Sequence, residues 1–242
     1  MRLPQVTSGT GVLSIIARKE LVVNRRAILT GLAMLFATAS YATTIASWDM
    51  LGEPGDQPFT SGVGSPNVNA NDMVRGSGLI PNAGDNSLNS RGWASISPDD
   101  YVEFGFSVGS GFFVTLDELI IATRSSNTGP GTLGIFTSFD GFASPIATLI
   151  QPGDDFLDSV IDLSALGPVM GNFSVRLLEI GNTQADGVGT TADGGTFRVV
   201  DFLDSSGAFV DTQFTGTLQV PDPPTLYLLA FGLVAVVFQR RR

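Results

Sequence analysis

The middle of the chain alternates apolar and polar residues with a period of two. Val102, Phe104, Phe106 and Val108 fall on one side of an extended backbone, and Glu103, Gly105 and Ser107 on the other. Phe173, Val175 and Leu177 alternate with Ser174 and Arg176. Phe214, Gly216, Leu218 and Val220 alternate with Thr215, Thr217 and Gln219. Such alternation belongs to half-buried strands, one face on a core and one on solvent. Further strands are predicted at Ile45 to Met50, Leu119 to Arg124, Leu133 to Phe139, Val160 to Leu163 and Thr196 to Phe202, about eight in all. Turn-forming runs separate them, among them Asn127-Thr128-Gly129-Pro130-Gly131, Asp140-Gly141, Pro152-Gly153-Asp154 and Asp193-Gly194-Gly195. Residues 53–90 are polar, with weak strand signals, and read as a long connection or edge region. No internal repeat is present. Many short strands with Gly-rich turns predict an all-β domain over residues 43–219, a jelly-roll-like β-sandwich.

The pattern changes at both ends. Arg25-Arg26 precede the apolar run Ala27 to Ala39, and Ser40-Tyr41-Ala42 follows. A charged start, a short apolar run and small residues at a cleavage point make a secretory signal peptide, with a predicted signal helix. Cleavage is expected after Ala42, with Ala39 as the second choice. Residues 1–42 are thus leader and signal. Because signal peptides normally begin near their charged region, translation is expected to start near Leu21 to Val23. At the other end, Val220-Pro221-Asp222-Pro223-Pro224 is stiff and non-helical. Thr225 to Gln239 is apolar, and Arg240, Arg241 and Arg242 close the chain. A helix over residues 226–238 is about 20 Å long, short against a ~30 Å hydrocarbon core. The arginines reach headgroups by snorkelling and favour the cytoplasmic side. A C-terminal transmembrane helix with the sandwich outside is the expected topology.

Charge and composition narrow the chemistry. Of the 23 acids, 22 lie between Asp49 and Asp222, against five arginines and no lysine in that span. Such a surface repels phosphates, so no nucleic-acid partner is expected. The sequence has neither cysteine nor histidine. That excludes disulfides, thiolate sites, thiol nucleophiles and the Ser-His-Asp triad, and removes the commonest zinc ligand. Carboxylates remain as the catalytic candidates, and no particular pair stands out. No catalytic activity is therefore expected.

Residues 220–242 resemble the PEP-CTERM sorting domain: a Val-Pro-Glu-Pro-type motif, an apolar helix and a terminal arginine cluster. The motif here is Val220-Pro221-Asp222-Pro223, with Asp222 where glutamate is usual and Pro224 where serine is common. Several central phrases are similar to exported domains that accompany this tail: Ile45-Ala46-Ser47-Trp48-Asp49, Asn89-Ser90-Arg91-Gly92-Trp93, Asp99-Asp100-Tyr101-Val102-Glu103-Phe104, Arg124-Ser125-Ser126-Asn127-Thr128-Gly129-Pro130 and Gly195-Thr196-Phe197-Arg198-Val199. Those domains usually carry an acid two residues after the arginine; here Val200 holds that place and Asp201 follows it. The resemblance implies recognition by an exosortase-type membrane transpeptidase, after export through the Sec translocon and signal peptidase. It also implies an association with extracellular polysaccharide and biofilm matrix.

Two weaker candidates complete the sequence-based expectations. A structural Ca²⁺ would take loop oxygens, and Asp154, Asp155 and Asp158 lie close together in sequence. No other cofactor is expected. A glycan would stack on exposed aromatic rings, for which Trp48, Trp93 and Tyr101 are the candidates; core placement is the competing expectation. The expected function is that of an exported envelope or matrix-associated protein. It would be anchored in the inner membrane, outward-facing, and then sorted to the cell surface or extracellular matrix. A carbohydrate-binding adhesin and an acid-based glycan hydrolase are the alternatives.

Overall fold

The computed structural model describes residues 42–95, 97–203 and 205–220. The signal run, and the tail after Val220 with Pro221, Asp222, Pro223 and Arg240 to Arg242, lie outside them. So do the two predicted terminal helices. Among the described residues, no helix is long and apolar enough to cross a membrane.

Described strands run in chain order as follows. First come β1 (Thr43–Trp48), β2 (Pro54–Gly55), β3 (Phe59–Thr60), β4 (Gly62–Gly64), β5 (Val68–Ala70) and β6 (Met73–Arg75). Next are β7 (Ile80–Pro81), β8 (Ser87–Arg91), β9 (Tyr101–Val108), β10 (Phe113–Ser125), β11 (Thr132–Thr137) and β12 (Pro145–Ile150). The last six are β13 (Leu157–Asp162), β14 (Asn172–Glu179), β15 (Thr196–Val200), β16 (Phe202–Leu203), β17 (Phe209–Val210) and β18 (Thr212–Gln219).

They build two large sheets and a separate two-stranded sheet of β16 and β17. The smaller runs β12-β11-β14-β9-β6-β3, with β5 also on β9. The larger runs β2-β8-β15-β10-β18-β1-β4, with β13 also on β10 and β7 on β8. Alternating apolar positions of both sheets meet in one core. Phe214 of the larger sheet lies 5.6 Å, ring to ring, from each of Phe104, Phe106 and Phe173 of the smaller. Trp48 stacks edge-on against Phe104 at 5.1 Å. Interdigitated aromatics of this kind make a β-sandwich, as the alternation predicts.

Of the two expectations for residues 53–90, a long connection or an edge region, the structure shows the second: β2 and β4 end the larger sheet and β3 ends the smaller. Seven strands of two to five residues lie there, each too short for a period-two pattern to show. They bury Val68, Met73 and Leu88. Arg75 ties the segment together by donating from Nε to Asn89 O (2.9 Å) and from Nη1 to Gln57 O (2.6 Å), and it also reaches Gly55 O. Burial lowers Arg75 to about 10, partly offset by Asp56. Sequence also missed β12: it is an edge strand, and only Leu149 of it is buried.

The register of β10 creates the feature that matters most. Residues Glu118–Thr123 of β10 pair with β13. Phe113–Ile120 pair with β18, and Ala122–Ser125 with β15. A strand has two edges, so β15 and β18 lie end to end along the edge opposite β13. The larger sheet therefore forks beside Ile121. The chain leaves the fork after Val200, makes the β16–β17 hairpin, and rejoins at Thr212. The predicted strand Thr196 to Phe202 is broken at Asp201 for this reason.

Candidate functional site

A cleft of about 410 Å³ opens on the outer face of the larger sheet, beside the fork. Its floor is β15. Phe197 and Val199 point into the core, and Arg198 and Val200 point outward. Phe156 and Asp158 come from the start of β13, and Asp85 and Asn86 from the loop before β8. The hairpin adds Phe202, Leu203 and Phe209. Phe156, Leu203 and Phe209 are each about half exposed, so this wall offers apolar surface to solvent.

Arg198 stands opposite Arg124 in the β10–β15 register. The two guanidiniums are treated differently. Arg124 donates from Nε and Nη2 to Asp154 O (3.1 and 2.8 Å) and sits 5.1 Å over the Phe156 ring. Arg198 is half-buried, yet its guanidinium makes no hydrogen bond, ion pair or ring contact among the described residues. Burial lowers its pKa, as does Arg124, while Asp154 and Asp85 raise it. Burial also raises Asp158.

At the fork itself, three acids converge. Asp49 follows β1, Asp201 follows β15 and Asp211 precedes β18; one carboxylate oxygen of each lies within 4.8 Å of the other two. Asp201 is 7 % exposed. Its Oδ2 accepts the Met50 N–H at 2.8 Å, while Oδ1 is buried without a partner. Burial pushes Asp201 up to about 7, the Met50 N–H opposing, and the Asp211 and Asp49 carboxylates together with a proton-sharing hydrogen bond to Asp49 adding. Asp211 is raised by burial and then by Asp49.

Several sequence-based candidates fall elsewhere. Trp48 and Trp93 are 0 % exposed and belong to the core. Their indole N–H groups donate to Asn71 O (2.8 Å) and Ser90 O (3.3 Å), so neither ring is a sugar platform. Tyr101 is half-buried, and its ring is covered by the Arg176 guanidinium at 4.1 Å. Asp154, Asp155 and Asp158 do not converge as a Ca²⁺ site. Asp154 is held by Asn127 Nδ2 (2.6 Å) and Arg124, and Asp155 accepts the N–H of Phe156 (2.9 Å). Asp158 stands on β13 in the cleft wall. Ala42 and Val220, the described ends of the address segments, are exposed. Sequence reasoning missed the cleft and the acid cluster because both assemble distant residues. Asp201 was the one hint, as an acid displaced by one position in the closing phrase.

No protein-family model matches the chain, and no curated protein matches it. Among solved structures, the chain is similar to a point mutant of a family 29 carbohydrate-binding module, with 10 % identity and a TM-score of 0.36. The match covers 74 % of this chain and 92 % of that one. At that score neither the module's ligand nor its residues transfer to this chain.

Proposed function

We propose that this protein is an exported, non-enzymatic β-sandwich that holds a neutral extracellular polysaccharide in the cleft over β15. One observation carries the proposal: Arg198, a guanidinium that makes no hydrogen bond or ion pair among the described residues and feels Asp154 and Asp85 only at longer range, lies in the floor of a cleft with exposed aromatic walls. Sugar rings present C–H faces and hydroxyl edges together. Phe156 and Phe209 supply stacking surface, and Arg198, Asp85, Asn86 and Asp158 supply hydrogen bonds. The surplus of carboxylates in the cleft disfavours an acidic glycan.

Delivery rests on the sequence of the two ends. The N-terminal signal is used by the Sec translocon and signal peptidase. The Val220-Pro221-Asp222-Pro223 segment, its apolar run and the terminal arginines then hold the protein in the membrane for an exosortase. Fractionation of wild type against a truncation after Val220 tests this step. Membrane association is expected for wild type only, and identical fractionation rejects the sorting role. A glycan array on the full chain and on Arg198→Ala tests the cleft. Selective binding that Arg198→Ala weakens tenfold or more supports it, and equal binding by both rejects it.

A further inference from the structure

We propose that Asp49, Asp201 and Asp211 form a binding site for a hard divalent cation, with Ca²⁺ the ion that fits, and that the cation ties the fork of the larger sheet together. The three carboxylates come from the three places where the chain enters or leaves the fork. β1 ends at Trp48, paired with Thr212 in the branch that contains β18; the chain then crosses to β2, in the branch that contains β15. Asp49 opens that crossing. Asp201 and Asp211 are the two bases of the β16–β17 hairpin.

Two independent features point to a ligand here. The first is the convergence of three carboxylate oxygens within 4.8 Å of one another. Ligand oxygens at 2.3–2.6 Å from a Ca²⁺ ion lie at most about 5 Å apart, so one ion can touch all three. The second is Asp201 itself. It is more than nine-tenths buried, one oxygen is used by Met50 N–H, and the other is buried without a donor. A buried carboxylate oxygen without a donor is costly, and two further carboxylates beside it make the cost larger. No arginine or lysine forms an ion pair with any of the three among the described residues. A cation removes both costs at once. Carboxylates make an all-oxygen donor set, and the chain has no histidine or cysteine, so the site suits a hard ion over zinc or copper. Water and backbone carbonyls complete the shell.

The site has a consequence for the cleft. Phe202, Leu203 and Phe209 stand on the hairpin whose two bases would share the ion. Cation binding therefore fixes one cleft wall. Asp201 also lines the cleft, so the two sites are neighbours, but the three carboxylates need no cleft ligand to hold the ion.

The test uses the full chain in detergent, stripped with a chelator and titrated with CaCl₂ alone. Calorimetry reads stoichiometry, and thermal melting reads stabilisation. One Ca²⁺ per chain and a higher melting midpoint in millimolar Ca²⁺ are expected for wild type and for Asp154→Asn/Asp155→Asn. Asp201→Asn and Asp211→Asn should fold, since each removes a mutually repelling charge, and should lose the calcium-dependent shift. Melting in the chelator confirms that they fold. No calcium-dependent shift in wild type, or a shift kept in Asp201→Asn, overturns the proposal. If calcium binds as described and the glycan array stays blank, the site stands and the polysaccharide assignment falls.

Discussion

Arg176 and Arg198 occupy matching places on opposite faces of the sandwich. Each stands mid-strand on the outer side of its sheet and among aromatic rings. Arg176, on β14, is engaged within the fold. Its Nε donates to Glu103 Oε2 at 2.7 Å, and its guanidinium lies 4.1 Å from the rings of both Tyr101 and Phe142. Arg198, on β15, faces a cleft and meets none of these partners. Arg176 has one charge-assisted hydrogen bond and two aromatic rings against its guanidinium, which ties it into the fold. Arg198 keeps its donors toward the cleft, which is why it is the residue proposed to meet a ligand. Each face also has its buried acid. Glu179 ends β14 and accepts from the Thr191 hydroxyl, whereas Asp201 follows β15 and lies among two other carboxylates.

Three substitutions sharpen this contrast, beginning with the largest effect on stability. Glu179 is 8 % exposed and pushed up to about 7 by burial, the Thr191 hydroxyl opposing and Asp100 adding. A carboxyl raised above its unfolded value binds a proton longer in the folded state. Stability through this group is therefore greatest in acid and falls as pH rises from about 4.5 to about 7. Glu179→Gln should remove that slope and stabilise the protein by about 2–3 kcal/mol at pH 8, read by chemical denaturation across pH. An unchanged slope would show that Glu179 ionises freely in the folded chain. Arg176→Ala should cost about 1–2 kcal/mol, from one charge-assisted hydrogen bond and two ring contacts. It should leave glycan binding untouched. The smallest effect belongs to Arg198→Ala, which should move stability by no more than about 0.5 kcal/mol because no hydrogen bond or ion pair of its side chain among the described residues is lost. Equal destabilisation by the two arginine variants would erase the difference between the faces.

The sandwich was legible because Val102 to Val108, Phe173 to Leu177 and Phe214 to Leu218 each repeat the alternation long enough to be seen, and the structure sets all three across the core. Burial decided the aromatic candidates. Trp48 and Trp93 carry the right chemistry for sugars, but local sequence does not record which side of a strand faces the other sheet. The cleft was hidden for a different reason. Asp85, Phe156, Arg198 and Phe209 come from four separate segments and meet only because β15 and β18 share one edge of β10. Asp154, Asp155 and Asp158 show the converse: proximity along the chain did not bring their carboxylates together, while Asp49 joins Asp201 and Asp211 from over 150 residues away.

On the function proposed above, glycan binds the face bearing Arg198 and not the face bearing Arg176. Affinity electrophoresis through gels containing neutral polysaccharide, run on wild type, Arg198→Ala and Arg176→Ala side by side, tests it most directly. Retardation of wild type and Arg176→Ala by the same polysaccharide, with Arg198→Ala running free, is the predicted result. Arg198→Ala retarded as strongly as wild type would contradict it.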